Sequence, residues 1–135
     1  TDIIVGFPGE TEEDFLKTVN FVKEIEFAKV HVFPYSPKKG TKAAIMKDQI
    51  ENSIKSHRVK ELSKVTTTLE EKFIKNMINK NTEVLYEKQI DKNLYEGHSS
   101  NYIKVITESE KDLENKIFNV ILEENRGLYA ISGKI

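Results

Sequence analysis

A glycine-punctuated turn near the start of the chain is the first group of residues that could hold a ligand. The turn follows the apolar, β-branched run at residues 3–5 and consists of Gly6, Phe7, Pro8, Gly9 and Glu10. Glycines let a backbone approach a ligand closely, so main-chain amides are the expected contacts. A tight turn with Glu10 placed near a helix start for dipole reasons is the alternative. The residues alone leave both interpretations open.

A second loop, residues 35–41, carries polar side chains; it follows Pro34 and contains Pro37, and both prolines break regular structure. Its candidate binding residues are Tyr35, Ser36, Lys38, Lys39 and Thr41. From residue 38 to residue 64 the chain has eight Lys or Arg against three acids, although its net charge is only -1. This basic segment suits phosphate contacts, and Arg58 within it is a further candidate. A solvated helix face explains the same charges almost as well.

A third candidate group lies further along the chain, in residues 100–106. Alternation predicts a strand there, with Tyr102 and Lys104 on one face and Asn101, Ile103 and Val105 on the other. An aromatic ring that stacks on a base, beside a cation that meets phosphate, is typical of single-stranded RNA-binding surfaces. A tyrosine packed in a core beside an exposed lysine is the alternative. Asn101, Tyr102 and Lys104 are therefore candidate RNA ligands.

Composition excludes several other kinds of chemistry. The 135 residues contain no cysteine, so the chain has no disulfide, thiolate nucleophile or cysteine ligand for an iron–sulfur cluster. We predict no catalytic residue and no metal ligand within it. With 38% hydrophobic and 32% charged residues, and with apolar runs far shorter than a membrane span, a cytoplasmic location is the expectation.

The elements that must position these residues follow from periodicity. Residues 3–5 and 29–33 read as strands, and apolar spacing predicts helices over 12–27, begun by a Thr11–Asp14 capping box, and over 47–78, with a possible bend at residues 66–68. A parallel strand needs neighbours, so we expect partner strands from outside this chain. After Lys80 the period alternates, and strands at 82–87, 100–106, 117–122 and 127–131 predict a small closed barrel.

Four blocks, in this order and spacing, resemble the radical S-adenosylmethionine methylthiotransferases. They are residues 1–11 (TDIIVGFPGET), 35–41 (YSPKKGT) with Ala43 and Ala44, 84–87 (VLYE) and 97–105 (GHSSNYIKV). The last two are similar to the family's C-terminal TRAM domain, an OB-like RNA-binding barrel. Residues 31–37 (HVFPYSP) look most like the branch acting on N6-threonylcarbamoyladenosine in tRNA, and the isopentenyladenosine branch has a similar loop.

The resemblance implies an α/β plus all-β chain. Residues 1–65 would be the C-terminal portion of a radical S-adenosylmethionine (SAM) (β/α) barrel, 66–80 a connecting helix, and 81–135 a TRAM RNA-binding domain. The full-length enzyme would be a transferase that adds a methylthio group to carbon 2 of the adenosine just 3′ of the anticodon. A stand-alone RNA-binding module without catalysis is the rival from another class.

The same resemblance implies S-adenosylmethionine and two 4Fe–4S clusters in the full-length enzyme, with Gly6, Phe7, Pro8, Gly9 and Glu10 beside the cofactor. We expect this piece to bind none of these groups by itself and to be inactive alone. Its implied partner is the tRNA anticodon stem-loop, and exposed barrel edges make a dimer possible.

Overall fold

A computed structural model describes all 135 residues, which form two compact units, Thr1–Leu69 and Glu70–Ile135. The elements are β1 Asp2–Val5, α1 Glu12–Ile25, β2 His31–Pro34, a 3-10 turn Ala43–Ile45, α2 Asn52–Met77, β3 Asn81–Asp91, β4 Leu94–Ser99, β5 Lys104–Glu108, β6 Lys116–Asn125 and β7 Ala130–Ser132. The boundary between the two units falls inside α2. Neither helix is long and apolar enough to cross a membrane.

In the first unit, β1 and β2 form a parallel pair with α1 as their crossover. The predicted capping box is confirmed, because Thr11 Oγ1 accepts from the Asp14 amide and the Asp14 carboxylate accepts from the Thr11 amide. The core of the unit is apolar and comprises Val5, Phe15, Val19, Val22 and Leu62. Two strands and two helices are an α/β unit; the sequence predicted only the C-terminal portion of a (β/α) barrel here, and the two strands do not close a barrel by themselves.

Helix α2 begins at Asn52 rather than near residue 47. The Gln49 side-chain amide donates to the carbonyls of Ala43 and Met46 and holds the chain in the preceding 3-10 turn. The bend suggested at residues 66–68 was wrong, because α2 runs without a break through them. The hydroxyls of Thr66 and Thr68 donate to carbonyls of the preceding turn, which satisfies them inside the helix.

In the second unit, the prediction of a small closed barrel is confirmed, with strand order β3-β4-β5-β7-β6. Strand β4 was not predicted, and the predicted strand at residues 100–106 is a turn followed by β5, which starts at Lys104. Apolar side chains fill the interior around Tyr86, whose hydroxyl meets Thr107 Oγ1 at 2.5 Å; Thr107 in turn meets Ser132 Oγ at 2.6 Å. This buried polar chain is satisfied within the barrel.

Candidate functional site

Three backbone amides of the turn at residues 6–10 are hydrogen-bonded within the chain. The Gly6 amide donates to Glu10 Oε1 at 3.0 Å, the Gly9 amide donates to the Asp48 carbonyl at 2.8 Å, and the Glu10 amide donates to the Phe7 carbonyl at 2.9 Å. These three amides are therefore engaged within the chain. Pro8 is buried, whereas the Phe7 ring is 45% exposed at the carboxyl end of β1. An apolar ring face is what this turn offers to a ligand.

Arg58, a candidate RNA ligand from sequence, is instead buried against that turn. Its Nη1 lies 2.7 Å from Glu10 Oε1 and 3.1 Å from the Glu10 carbonyl, its Nη2 lies 3.3 Å from Glu12 Oε2, and its guanidinium lies over the Phe15 ring. Only 5% of the side chain reaches solvent. Because its charge is already paired, Arg58 is placed to hold the turn rather than to meet a phosphate.

A cleft of about 490 Å³ opens beside the carboxyl end of β2, and we call it the strand-end cleft. Its lining residues are Pro34, Tyr35, Ser36, Pro37, Asn52, Lys55 and Ser56. The Tyr35 amide donates to the Val5 carbonyl at 2.8 Å and so continues the β1–β2 pairing, and the Tyr35 ring meets Phe7 edge-on at 5.2 Å. Lys55 lies over the same ring, 5.4 Å from its centroid.

The remaining candidates of the second loop lie on the surface. Ser36, Lys38 and Lys39 are exposed, while the Thr41 hydroxyl is used locally, donating to the Lys38 carbonyl at 2.8 Å. Of the eight cations between residues 38 and 64, Lys55 and Arg58 are buried and the other six are exposed. The basic segment is thus an exposed lysine set with two cations turned into the protein.

Tyr102 and Asn101 lie in the turn that joins β4 to β5, not on a strand. The Ser99 hydroxyl accepts from the Ile103 amide at 3.0 Å and donates to Asn101 Oδ1 at 2.6 Å, and the Tyr102 amide donates to the Ser99 carbonyl at 2.9 Å. These bonds hold Tyr102 in the left-handed region at φ 65° with 76% of its surface exposed. The turn therefore presents an aromatic ring to solvent.

A groove on the outside of the barrel extends from this ring, and we call it the Tyr102 groove. It is lined by Glu83, Leu85, Glu87, His98, Ser99, Ser100, Tyr102 and Ile117. Leu85 pairs with both Ile117 and His98, so exposed apolar side chains lie beside polar ones on one face. Glu83 and Glu87 make the groove acidic, with Glu87 3.0 Å from His98 Nδ1, which suits base faces better than phosphates.

Lys104 lies directly across from His98 on the same outer face, but its charge is shared. Its Nζ donates to Glu96 Oε2 at 3.0 Å, and Lys88 Nζ lies 3.2 Å from Glu96 Oε1. The hydrogen bond from Lys104, helped by Lys88, lowers the pKa of the Glu96 carboxyl below its ordinary value. Lys104 can reach phosphate only in competition with Glu96.

Sequence reasoning counted Lys55 among the cations of the basic segment without singling it out, and it missed the apolar part of the Tyr102 groove. Counting back along α2 from buried Leu62 by helical spacing gives Arg58 and Lys55, which is the signal that both face inward. Leu85 and Ile117 lie on two strands that the sequence predicted. Which face of each strand points away from the interior is set only when the barrel closes, so the sequence pattern did not show that these two side chains are exposed.

Comparison with known proteins gives relatives along nearly the whole chain. Threonylcarbamoyladenosine tRNA methylthiotransferase MtaB of Bacillus subtilis is 40% identical over an alignment of 124 residues that covers 89% of this chain and 28% of that protein. The tRNA-2-methylthio-N(6)-dimethylallyladenosine synthase of Lachnoclostridium phytofermentans is 39% identical over an alignment of 131 residues that covers 96% of this chain and 29% of that protein. The synthase of the same name from Caldicellulosiruptor saccharolyticus is 41% identical over 130 residues, with 93% of this chain and 27% of that protein covered.

The chain thus spans less than a third of the length of these curated relatives. No family model matches it. The match to the Lachnoclostridium protein nevertheless covers 96% of this chain, so it includes residues of both units. By sequence, this chain is a homologue of one segment of the tRNA methylthiotransferases.

Proposed function

We propose that this chain is part of a tRNA methylthiotransferase, a transferase of the radical S-adenosylmethionine class, and that it mainly helps to hold the tRNA. The observation that carries the proposal is identity of 39% and 40% over 96% and 89% of the chain to proteins of that name. Residues 1–65 would complete the catalytic α/β domain and residues 81–135 would be a TRAM-like, OB-like RNA-binding barrel. A cytoplasmic location accords with that role.

The proposed reaction places a methylthio group on carbon 2 of the adenosine next to the anticodon. Threonylcarbamoyladenosine is the proposed substrate, because residues 31–37 look most like that branch. The relatives also include dimethylallyladenosine enzymes at similar identity, which makes that nucleoside the second candidate. Assay of the full-length enzyme on both tRNAs separates the two.

S-adenosylmethionine and two 4Fe–4S clusters supply the radical chemistry and sulfur of the proposed parent enzyme. Because the amides of Gly6, Gly9 and Glu10 are engaged within the chain, they do not fit a cofactor contact made through those amides. The exposed Phe7 ring fits an apolar contact, such as one with an adenine face. This chain's own contribution at the turn is therefore orientation, through the Arg58–Glu10 pair that holds it.

For RNA, the proposed contacts are a base stacked on Tyr102 and phosphates near Lys38 and Lys39. The Tyr102 ring is exposed at the Tyr102 groove, near the apolar side chains of Leu85 and Ile117, and the two lysines lie on an exposed loop next to the strand-end cleft. Stacking of one base contributes about 1–3 kcal/mol, so Tyr102→Ala should weaken binding by about 5- to 150-fold. Replacing either lysine by Met should lower the slope of log affinity against log salt by about 0.7, the value for one phosphate contact to a single strand.

The test is binding of an anticodon stem-loop RNA to the chain across a salt series. Phe21→Ala and Lys17→Met, which change an exposed aromatic ring and an exposed cation on α1, are the matched controls. No binding by the unmodified chain at low salt would refute the proposal. Equal losses in the candidate and control variants would refute the assignment of these contacts.

A further inference from the structure

Lys55 is a buried cation without an acidic partner. Only 6% of its surface reaches solvent, and its side chain forms neither an ion pair nor a hydrogen bond within the chain. Its methylenes cross Gly6 so closely that a β-carbon there would lie 2.5 Å from Lys55 Cγ, which fixes the path of the side chain into the strand-end cleft. A buried charge left without a partner costs folding free energy.

The Tyr35 hydroxyl beside it is also buried and has no hydrogen-bond partner in the protein. Both residues line the strand-end cleft, and the Lys55 ammonium lies over the Tyr35 ring. The first turn of α2, which carries Lys55, contains no acid, so the helix dipole adds positive potential. An ammonium without an acidic partner and a buried hydroxyl without a hydrogen-bond partner, carried by two residues of one cleft, match the needs of an oxyanion.

We propose that Lys55 and Tyr35 form a binding site for a phosphate group in the strand-end cleft. The exposed Lys38 and Lys39 on the adjoining loop favour a phosphate carried by a polyanion, and an RNA phosphodiester is the source that follows from the proposed function, on which this part rests. Free phosphate presents the same oxygens and is the other source. The site serves binding; no chemical step is assigned to it.

Three variants of the 135-residue chain test the site: Lys55→Met, Tyr35→Phe and the control Lys60→Met, which removes an exposed cation from the same helix. The readouts are melting temperature without ligand, affinity and salt slope for an anticodon stem-loop RNA, and the melting shift caused by inorganic phosphate against chloride at equal ionic strength. We expect Lys55→Met to melt at or above the temperature of the unmodified chain, since it removes an unpaired buried charge.

The same variant should bind RNA about 10- to 100-fold more weakly and lose about 0.7–0.9 of salt slope, as for one buried phosphate contact. Tyr35→Phe should keep the melting temperature and lose about 10-fold in affinity. Lys60→Met should retain most of the affinity. Unchanged affinity and slope in both Lys55→Met and Tyr35→Phe would overturn the site and leave the proposed function standing.

If the unmodified chain binds no RNA, the proposed function fails. The melting shift with inorganic phosphate then tests whether the phosphate site exists. A melting shift with phosphate that requires Lys55 would support a site for free phosphate. No shift in the unmodified chain would overturn it.

Discussion

Replacing Arg58 by methionine should destabilise the first unit, because it removes one partner of a buried ion pair. Arg58 Nη1 lies 2.7 Å from Glu10 Oε1, with 5% and 14% of the two side chains exposed. Loss of one member of such a pair costs about 3–5 kcal/mol, since the other charge stays buried. Glu10 keeps the Gly6 amide as a donor, so we expect the lower end, about 3 kcal/mol.

The measurement is urea unfolding followed by far-ultraviolet circular dichroism, with hydrogen exchange of β1 and α1 amides to locate the effect in the first unit. Arg58→Lys keeps the charge but has one nitrogen in place of the two that reach Glu10 and Glu12, so it should rescue only part of the loss. In Arg58→Met with Glu10→Gln, the costs should be subadditive by about 1–3 kcal/mol. Arg58→Met with unchanged stability but weakened RNA binding would refute the structural role and restore Arg58 as an RNA ligand.

Three further predictions concern local packing. Gly97→Ala should cost the barrel about 1–3 kcal/mol in urea unfolding, because its β-carbon would overlap the Leu85 carbonyl oxygen across the β3–β4 pair. Thr11→Ala should cost about 1 kcal/mol and speed hydrogen exchange in the first turn of α1, since the N-cap acceptor is lost. Burial raises the pKa of the Tyr86 phenol above its usual 10.0, so its contribution to stability is present below pH 10 and is lost as pH rises through the higher folded-state value. Tyr86→Phe should cost about 1 kcal/mol of unfolding free energy at neutral pH, because it removes the hydrogen bond to Thr107. It should also make the unfolding free energy fall less steeply above pH 10, because the titrating phenol is gone. An unchanged unfolding free energy at neutral pH would show that the bond to Thr107 contributes nothing.

The elements that sequence predicted well are those set by local chemistry. Helix α1 starts at its capping box and ends at Ile25, within two residues of the predicted end, and Glu26 follows as its left-handed C-cap. The turn before β5 was misread because the alternation of residues 100–106 continues through it, whereas the bonds of Ser99 to residues 101 and 103 decide the backbone. Those bonds join residues two and four positions apart, and a pattern of apolar and polar residues does not show which local bonds a side chain makes.

The inward direction of two cations was the larger miss at the candidate site. The apolar spacing that predicts α2 would turn Ile54 inward, yet Ile54 is 40% exposed, while Lys55 and Arg58 take the buried positions in phase with Leu62. A binary pattern of apolar and charged residues assigns such cations to solvent. Only the positions of Glu10 and Tyr35, which come from distant parts of the chain, show what the two cations contact.

Backbone conformation singles out the Tyr102 turn. Five non-glycine residues have positive φ, and three are asparagines, Asn79, Asn93 and Asn115, whose side chains tolerate it; Glu26 is the C-cap of α1 and its amide donates to Val22. Tyr102 is neither an asparagine nor a helix C-cap, and with 76% of its surface exposed its ring gains little burial in return. Left-handed backbone costs such a residue about 1–2 kcal/mol, so the conformation persists because the Ser99 bonds impose it. The strained backbone of Tyr102 lies at the Tyr102 groove, and Lys55, which has no acidic partner, lies at the strand-end cleft. Residues that go against local conformational or burial preferences are expected at functional sites, so both features support these two surfaces as binding sites.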